Sequence, residues 1–195
     1  MDDSKTRWDR RYVTAEGELP PPCFVLDEFR YLLPANGNAI DIAAGRGANA
    51  LLLAQCGLQT TALDISPNAT VLIEEMARQQ QVIIETVAEP VETLLQKSGC
   101  RYDVIVVSRF LDRTLLQFLP AMLNDGGLLY YQTFVKDKAD QNCGPSNPDY
   151  LLDSNELLTL CSELTVRVFM DLGGSGDCQQ GLRNESCLVA QKRTH

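Results

Sequence analysis

Histidine is almost missing from this chain: there is one in 195 residues, His195, at the last position. Histidine is the side chain that most readily moves protons near neutral pH. Its scarcity leaves no Ser/His/Asp set and little provision for strong acid–base work. No two of the seven cysteines are spaced C-x-x-C, so the usual basis of a Cys/His zinc site is also lacking, and no metal is expected. The cysteines are odd in number, and Cys56 and Cys187 lie in apolar stretches. Reduced thiols of a cytoplasmic protein are the simple reading. Long apolar runs are absent, none approaching the ~20 residues that span a membrane. Residues 1–11 are charged and hold no apolar core, so no signal peptide is expected. Basic residues are in deficit: 17 Lys and Arg against 26 Asp and Glu, a net charge of −9. Such a surface repels phosphate backbones, and no basic cluster exceeds Arg10-Arg11 or Lys192-Arg193, so nucleic acid is not the expected partner.

What is present is organised around residues 39–50. A short apolar run at 39–43 reads as a buried strand, and the alanine-rich stretch 48–56 as a helix. Gly45 and Gly47 lie between them. A strand, a glycine turn and a helix bring a ligand close to bare backbone. The spacing Gly45, Gly47, Ala50 also fits the dinucleotide fingerprint, so the turn alone does not name its ligand. Asp41, a carboxylate inside the strand, suits a ligand carrying a cation and would repel a phosphate; its plain alternative is to cap nearby backbone amides. Asp64 ends the next apolar run, 59–64, where an acid can accept hydrogen bonds from both ribose hydroxyls, in a dinucleotide or elsewhere.

At 195 residues the chain is long enough for one domain with a sizeable core. Residues 1–22 are polar, end in three prolines and read as an N-terminal arm; 23–195 form the domain. Within the arm Trp8 and Tyr12 are four apart and share a face on a helical turn. The apolar spacing predicts a helix over 23–33. Ser66 and Pro67 start a helix that runs to about residue 80. Strands are expected at 82–87 and 102–108, the latter buried on both faces. Short helices are expected at 91–97, 114–123 and 153–164. A turn at 124–127 precedes a fifth strand, 128–135. Strands alternating with helices argue for a parallel sheet. The ending differs: 165–172 and 186–192 are strands with no helix between them, so one must run antiparallel.

The segment Asp41-Ile42-Ala43-Ala44-Gly45-Arg46-Gly47 resembles the first motif of class I S-adenosylmethionine (SAM)-dependent methyltransferases. Ala43 and Ala44 stand where a Gly and often a Cys are usual, leaving less room for the methionine part of SAM. Leu63-Asp64-Ile65-Ser66-Pro67 resembles the second motif, and Asp125-Gly126-Gly127 before an apolar strand a further one. The likeness extends over nearly the whole chain and is nearest to bacterial enzymes of the tellurite-resistance type. It implies a Rossmann-like three-layer α/β sandwich, with a mostly parallel seven-stranded sheet closed by an antiparallel C-terminal strand. It implies cofactor contacts from Asp41, Ala43, Gly45, Gly47, Asn49, Asp64, Ile65, Glu89, Ser108 and Arg109, with Glu89 at the adenine amino group. The acceptor or a lid would engage Trp8, Tyr12, Phe110, Tyr131, Thr133, Asn147 and Tyr150, the last two in a long polar loop, 136–150. The implied reaction is direct methyl transfer from SAM, with S-adenosylhomocysteine (SAH) as product, to a small and soft or anionic acceptor, by a monomer or dimer. An NAD(P)-dependent oxidoreductase is the first alternative. Asp41, the terminal hairpin and the absence of a catalytic Tyr-x-x-x-Lys or His argue against it. A SAM-binding protein without turnover is the second.

Overall fold

The computed structural model describes residues 2–13, 18–96 and 99–194. Among these residues seven strands form one sheet: β1 (Asn38–Ile42), β2 (Gln59–Asp64), β3 (Ile84–Ala88), β4 (Tyr102–Ser108), β5 (Leu123–Phe134), β6 (Thr165–Met170) and β7 (Glu185–Gln191). Their order across the sheet is β3-β2-β1-β4-β5-β7-β6. The first five are mutually parallel, and β7 runs antiparallel to both β5 and β6. This is the expected Rossmann-like sheet, with β7 inserted between β5 and the edge. The order reverses at β1, whose neighbours are β2 and β4, so the C-terminal ends of these strands border a crevice suited to ligands.

Among the described residues, six helices accompany the sheet: α1 (Asp2–Val13), α2 (Phe24–Glu28), α3 (Ala48–Gln55), α4 (Pro67–Gln80), α5 (Arg113–Met122) and α6 (Glu156–Leu160). Strand alternation decides which side chains face which helices. In β4, Val104 and Val106 join Leu26 and Leu53 of α2 and α3, while Ile105 and Val107 join Leu115, Leu119 and Leu157 of α5 and α6. In β1, Ile40 and Ile42 take the α5 face and Ala39 the α2/α3 face. Asp41 therefore points under α3.

Several boundaries depart from expectation for local reasons. The single helix expected over 23–33 is α2 followed by a 3-10 turn, Arg30–Leu32. The break falls at Phe29, whose carbonyl accepts the Tyr130 hydroxyl at 3.0 Å. The turn expected at 124–127 is instead the start of β5: Gly126 N–H donates to the Lys192 carbonyl and Lys192 N–H to that of Gly127. The helix expected over 153–164 is reduced to α6, because Asn155 adopts a left-handed backbone with φ 63°. A 3-10 helix, Val91–Leu95, takes the place of the helix at 91–97; Lys97, Ser98 and His195 lie outside the described residues. The polar arm forms α1, which rests on α4.

Candidate functional site

The turn after β1 is built of left-handed residues. Ala43 has φ 57°, Gly45 57° and Gly47 81°. Gly47 precedes α3, and a Cβ there would come 2.7 Å from Ile73 Cγ1 of α4, so glycine is needed for space as well as conformation. Asp41 is fully buried beneath α3. Its Oδ2 accepts the Ala50 N–H at 3.2 Å and its Oδ1 the Asn49 amide at 3.3 Å. It thus caps the first turn of α3, where the helix dipole favours a negative charge. Burial nevertheless pushes its carboxyl up to about 7 despite those two bonds, and the charge of Asp64 adds to the rise. Asn49 extends the network: its Oδ1 accepts the Cys23 N–H at 2.9 Å and its Nδ2 donates to Ser108 Oγ at 2.9 Å. Asp41 and Asn49 therefore brace the turn from below.

Asp64 closes the other side. Its Oδ2 accepts the Gly45 N–H at 2.8 Å and its Oδ1 the Ser66 N–H at 2.9 Å. A carboxylate has about four acceptor positions, so acceptor capacity remains beside the glycine turn. Burial raises its pKa against these bonds. Ile65 is half-buried next to it, and Glu89, also half-buried, follows β3 one residue beyond Ala88, the register partner of Asp64. Ser66 caps α4, accepting the Ala69 N–H, while its hydroxyl donates to Asp9 of α1 at 2.7 Å. The Asn68 N–H also donates to Asp9. These bonds lay α1 across the turn. A Cβ on Gly45 would stand 3.0 Å from the Tyr12 hydroxyl. Burial, and then the Asp64 charge, push that phenol up to about 12, so it stays neutral. Trp8 stacks on Tyr12 with ring centroids 6.2 Å apart, flanked by Arg7 and Arg11. Trp8 and Tyr12 therefore share a helix face, as their spacing implies.

The ends of β4, β5 and β7 form a second cluster. Arg109, with φ 52°, donates its N–H to the Gln132 carbonyl at 2.7 Å and its Nε to Glu185 Oε1 at 2.8 Å. The other Glu185 oxygen accepts the Gln132 amide, and Gln132 Oε1 accepts the Val25 N–H at 2.8 Å. Phe110 is half-buried. Two expected acceptor residues are not at an open surface. Tyr131 lies in the α5-side core with its hydroxyl donating to the Phe110 carbonyl at 2.7 Å, and Thr133 is buried opposite Ser186. Alternation along β5 turns both away from Gln132, toward the α5 face. Asn147 accepts the Asp149 N–H at 3.0 Å and starts the 3-10 turn Pro148–Tyr150, a local turn role; Tyr150 is exposed. Arg113 pins this loop, bonding both Glu156 oxygens and the Asp149 and Leu151 carbonyls.

The structure thus gathers Asp41, Ala43, Gly45, Gly47, Asn49, Asp64, Ser108 and Tyr12 around one turn. It also reveals residues that pattern reading passed over: Asp9, Cys23, Gln132, Glu185 and Arg113. Only Asp9 carried a local signal, lying between Trp8 and Tyr12. Among the described residues, no group of three or more His, Cys, Asp or Glu is placed to hold a metal ion, and no helix is long and apolar enough to cross a membrane. All seven cysteines are free.

A family model described as a methyltransferase domain matches residues 21–171. An uncharacterized protein of Schizosaccharomyces pombe, UNK4.09, is 32% identical over 92 residues, covering 47% of this chain and 27% of that protein. The chain thus aligns with about a quarter of that relative's length. Among solved structures, TehB from Haemophilus influenzae superposes with a TM-score of 0.69 at 17% identity, covering 97% of this chain and 67% of that one. A SAM-dependent methyltransferase from Clostridium acetobutylicum gives 0.67 at 12% identity, covering 88% and 90%. The magnesium protoporphyrin IX methyltransferase of Synechocystis, solved with SAH bound, gives 0.64 at 13%, covering 97% and 94%. Identities this low speak to the fold.

Proposed function

The chain belongs to the methyltransferase domain family, and we propose that it transfers the methyl group of SAM to a small, soft or anionic acceptor in the cytoplasm. One observation carries the reading: two carboxylates, Asp41 and Asp64, flank a left-handed glycine turn at the point where the strand order reverses. The charge of Asp64, joined by that of Asp41 as it ionises near pH 7, favours a sulfonium and an ammonium and opposes a pyrophosphate. Gly45 and Gly47 keep the turn free of side chains, and Asp64 retains acceptor positions for ribose hydroxyls. These residues fit SAM.

SAM supplies an electrophilic methyl group on a sulfonium. This chain's residues bind, orient and exclude water, which is most of what direct displacement requires. Asp64 holds the ribose, with Ile65 and Glu89 beside it on the adenine side. Asp41 and Asn49 fix the turn and, through Ser108, the end of β4. Tyr12 and Trp8, held on α4 by Asp9, cover the turn. Phe110, Arg109 and the 136–150 loop border the acceptor side. No imidazole reaches this site from the described residues, which favours an acceptor that arrives already nucleophilic. The net charge of −9 favours a small molecule over nucleic acid.

Calorimetric titration with SAH, SAM, NADH and NADPH tests the reading. SAH binding without nicotinamide binding is expected. Nicotinamide binding without SAH binding would overturn it and redirect the search to redox substrates.

A further inference from the structure

Two arginines of this fold are fully engaged in holding loops. Arg113 and Arg183 each spend Nε and both terminal nitrogens on their own loops: Arg113 on Glu156, Asp149 and Leu151, Arg183 on carbonyls of residues 173–180. Arg109 is different. Its Nε is engaged by Glu185, its backbone N–H by Gln132, and its two terminal nitrogens make no hydrogen bond among the described residues. The Glu185 side chain is only 7% exposed, whereas that of Arg109 is 59% exposed. Glu185 is fixed in turn by Gln132, whose own oxygen holds Val25 of α2.

The head group is thus tethered at one edge and open at the other. Its surroundings place it beside the cofactor turn. Ser108, the residue before Arg109, accepts the Asn49 amide at 2.9 Å, and the same amide bonds Asp41 beneath the turn. A free guanidinium edge presents two parallel N–H donors, the geometry that matches a planar carboxylate in bidentate fashion. Tethering through Nε removes much of the rotamer freedom such binding would otherwise cost.

We propose that Arg109, oriented by Glu185 and Gln132, is a preset clamp for a ligand carboxylate. The proposal rests on the methyltransferase reading. The carboxylate belongs either to the methionine part of the methyl donor or to the acceptor, and two titrations on the full chain separate these sources. In the first, wild type and Arg109→Gln are titrated with SAH and with methylthioadenosine, which lacks the amino-acid portion. A donor clamp makes SAH binding about 10–100-fold weaker in the variant, as for a lost charge-assisted pair, and leaves methylthioadenosine unchanged. In the second, SAH-saturated protein is titrated with benzoate and benzamide. An acceptor clamp leaves SAH affinity intact, and wild type binds benzoate at least about tenfold tighter than benzamide, a preference the variant lacks. In either case Arg109→Lys fails to restore binding, because an ammonium has no fork. Glu185→Gln weakens the same binding by less than Arg109→Gln, the mark of a positioning residue. Glu185 is buried and bonded to both Arg109 and Gln132, so melting curves of each variant check that the fold is kept, and the Arg109→Gln against Arg109→Lys comparison is read at matched stability. If Arg109→Gln changes neither SAH affinity nor the benzoate preference, the clamp is overturned. If wild type binds no SAH, the methyltransferase reading fails first and the clamp with it.

Discussion

The two halves of the sheet's C-terminal edge are assembled in opposite ways. Over β1 and β2, Asp41, Gly45, Gly47, Asp64 and Ser66 come from one short stretch, and their bonds join a strand end to the helix start that follows it or, for Asp64, to the neighbouring turn at Gly45. Over β4, β5 and β7, Arg109, Gln132 and Glu185 are joined across long separations, and Val25 of α2 reaches in from the opposite end of the chain. The first half is set by local turn geometry and the second by strand order. One half can therefore keep its ligand while the other changes its partner. With Arg109 as an acceptor clamp, changes confined to one half leave the other's binding intact; with Arg109 as a donor clamp, changes at Arg109 reach the cofactor.

The largest effect is expected at Asp41, in stability rather than binding. Burial holds the folded Asp41 carboxyl at about 7, above its ordinary value of 3.8. Between those pH values the folded protein holds a proton that the unfolded chain has lost. The Asp41 contribution is fully present below about pH 4 and is lost as pH rises to about 7; at ~1.4 kcal/mol per pKa unit it is on the order of a few kcal/mol. Urea unfolding of wild type and Asp41→Asn at about pH 5 and about pH 7.5 isolates it, because Asp64, Glu156 and Asp9 titrate in both proteins. Wild type should lose more stability than the variant on going to the higher pH. Equal losses would show that Asp41 is ionised throughout.

Next is Asp64→Ala, which should weaken SAH binding by about 1–3 kcal/mol by removing a buried acceptor of charged hydrogen bonds. Where Arg109 serves the acceptor, benzoate binding at the other half should not change. An unaltered SAH affinity in calorimetry would remove Asp64 from the cofactor site.

Arg113→Ala probes the acceptor half from the outside. It releases Glu156 and the carbonyls of Asp149 and Leu151. The pair is partly exposed, so roughly 1 kcal/mol of stability is at stake. Hydrogen exchange of residues 149–153 should quicken while SAH affinity holds. A fall in SAH affinity would mean that the two halves are coupled through α5.

This difference in construction also decides what a linear sequence discloses. Asp41, Gly45, Gly47, Asp64 and Ser66 were legible because their roles depend on neighbours within a strand, a turn and a helix cap. The parallel sheet and its antiparallel closure were legible from the missing helix between residues 172 and 186. Glu185 and Gln132 were not, since nothing near them marks a partner that arrives by way of β7 inserting beside β5. Tyr131 and Thr133 were placed at the acceptor because they lie near the end of β5, but nothing local showed which face they take. The turn expected at residues 124–127 became strand because Lys192, far along the chain, pairs with it. Asp41 was legible as a buried acid, yet its engagement by Ala50 and Asn49 favours the capping role that the sequence left open.

The smallest effect sharpens the cofactor half itself. Ala43 holds φ 57°, a left-handed backbone, at a position where the resembling family usually has glycine. That conformation costs an L-residue about 1–2 kcal/mol. Replacing it with glycine removes the cost but makes the unfolded chain more flexible, an opposing loss of about 0.5–1 kcal/mol. The difference leaves Ala43→Gly more stable by about 0.5–1 kcal/mol, a rise in melting temperature of ~1–4 °C for a chain of this size. SAH should bind at least as well, because a methyl group beside the methionine end is gone. A lower melting temperature would mean that the Ala43 methyl group packs usefully. Ala43 would then be part of what holds the turn, instead of strain the turn tolerates.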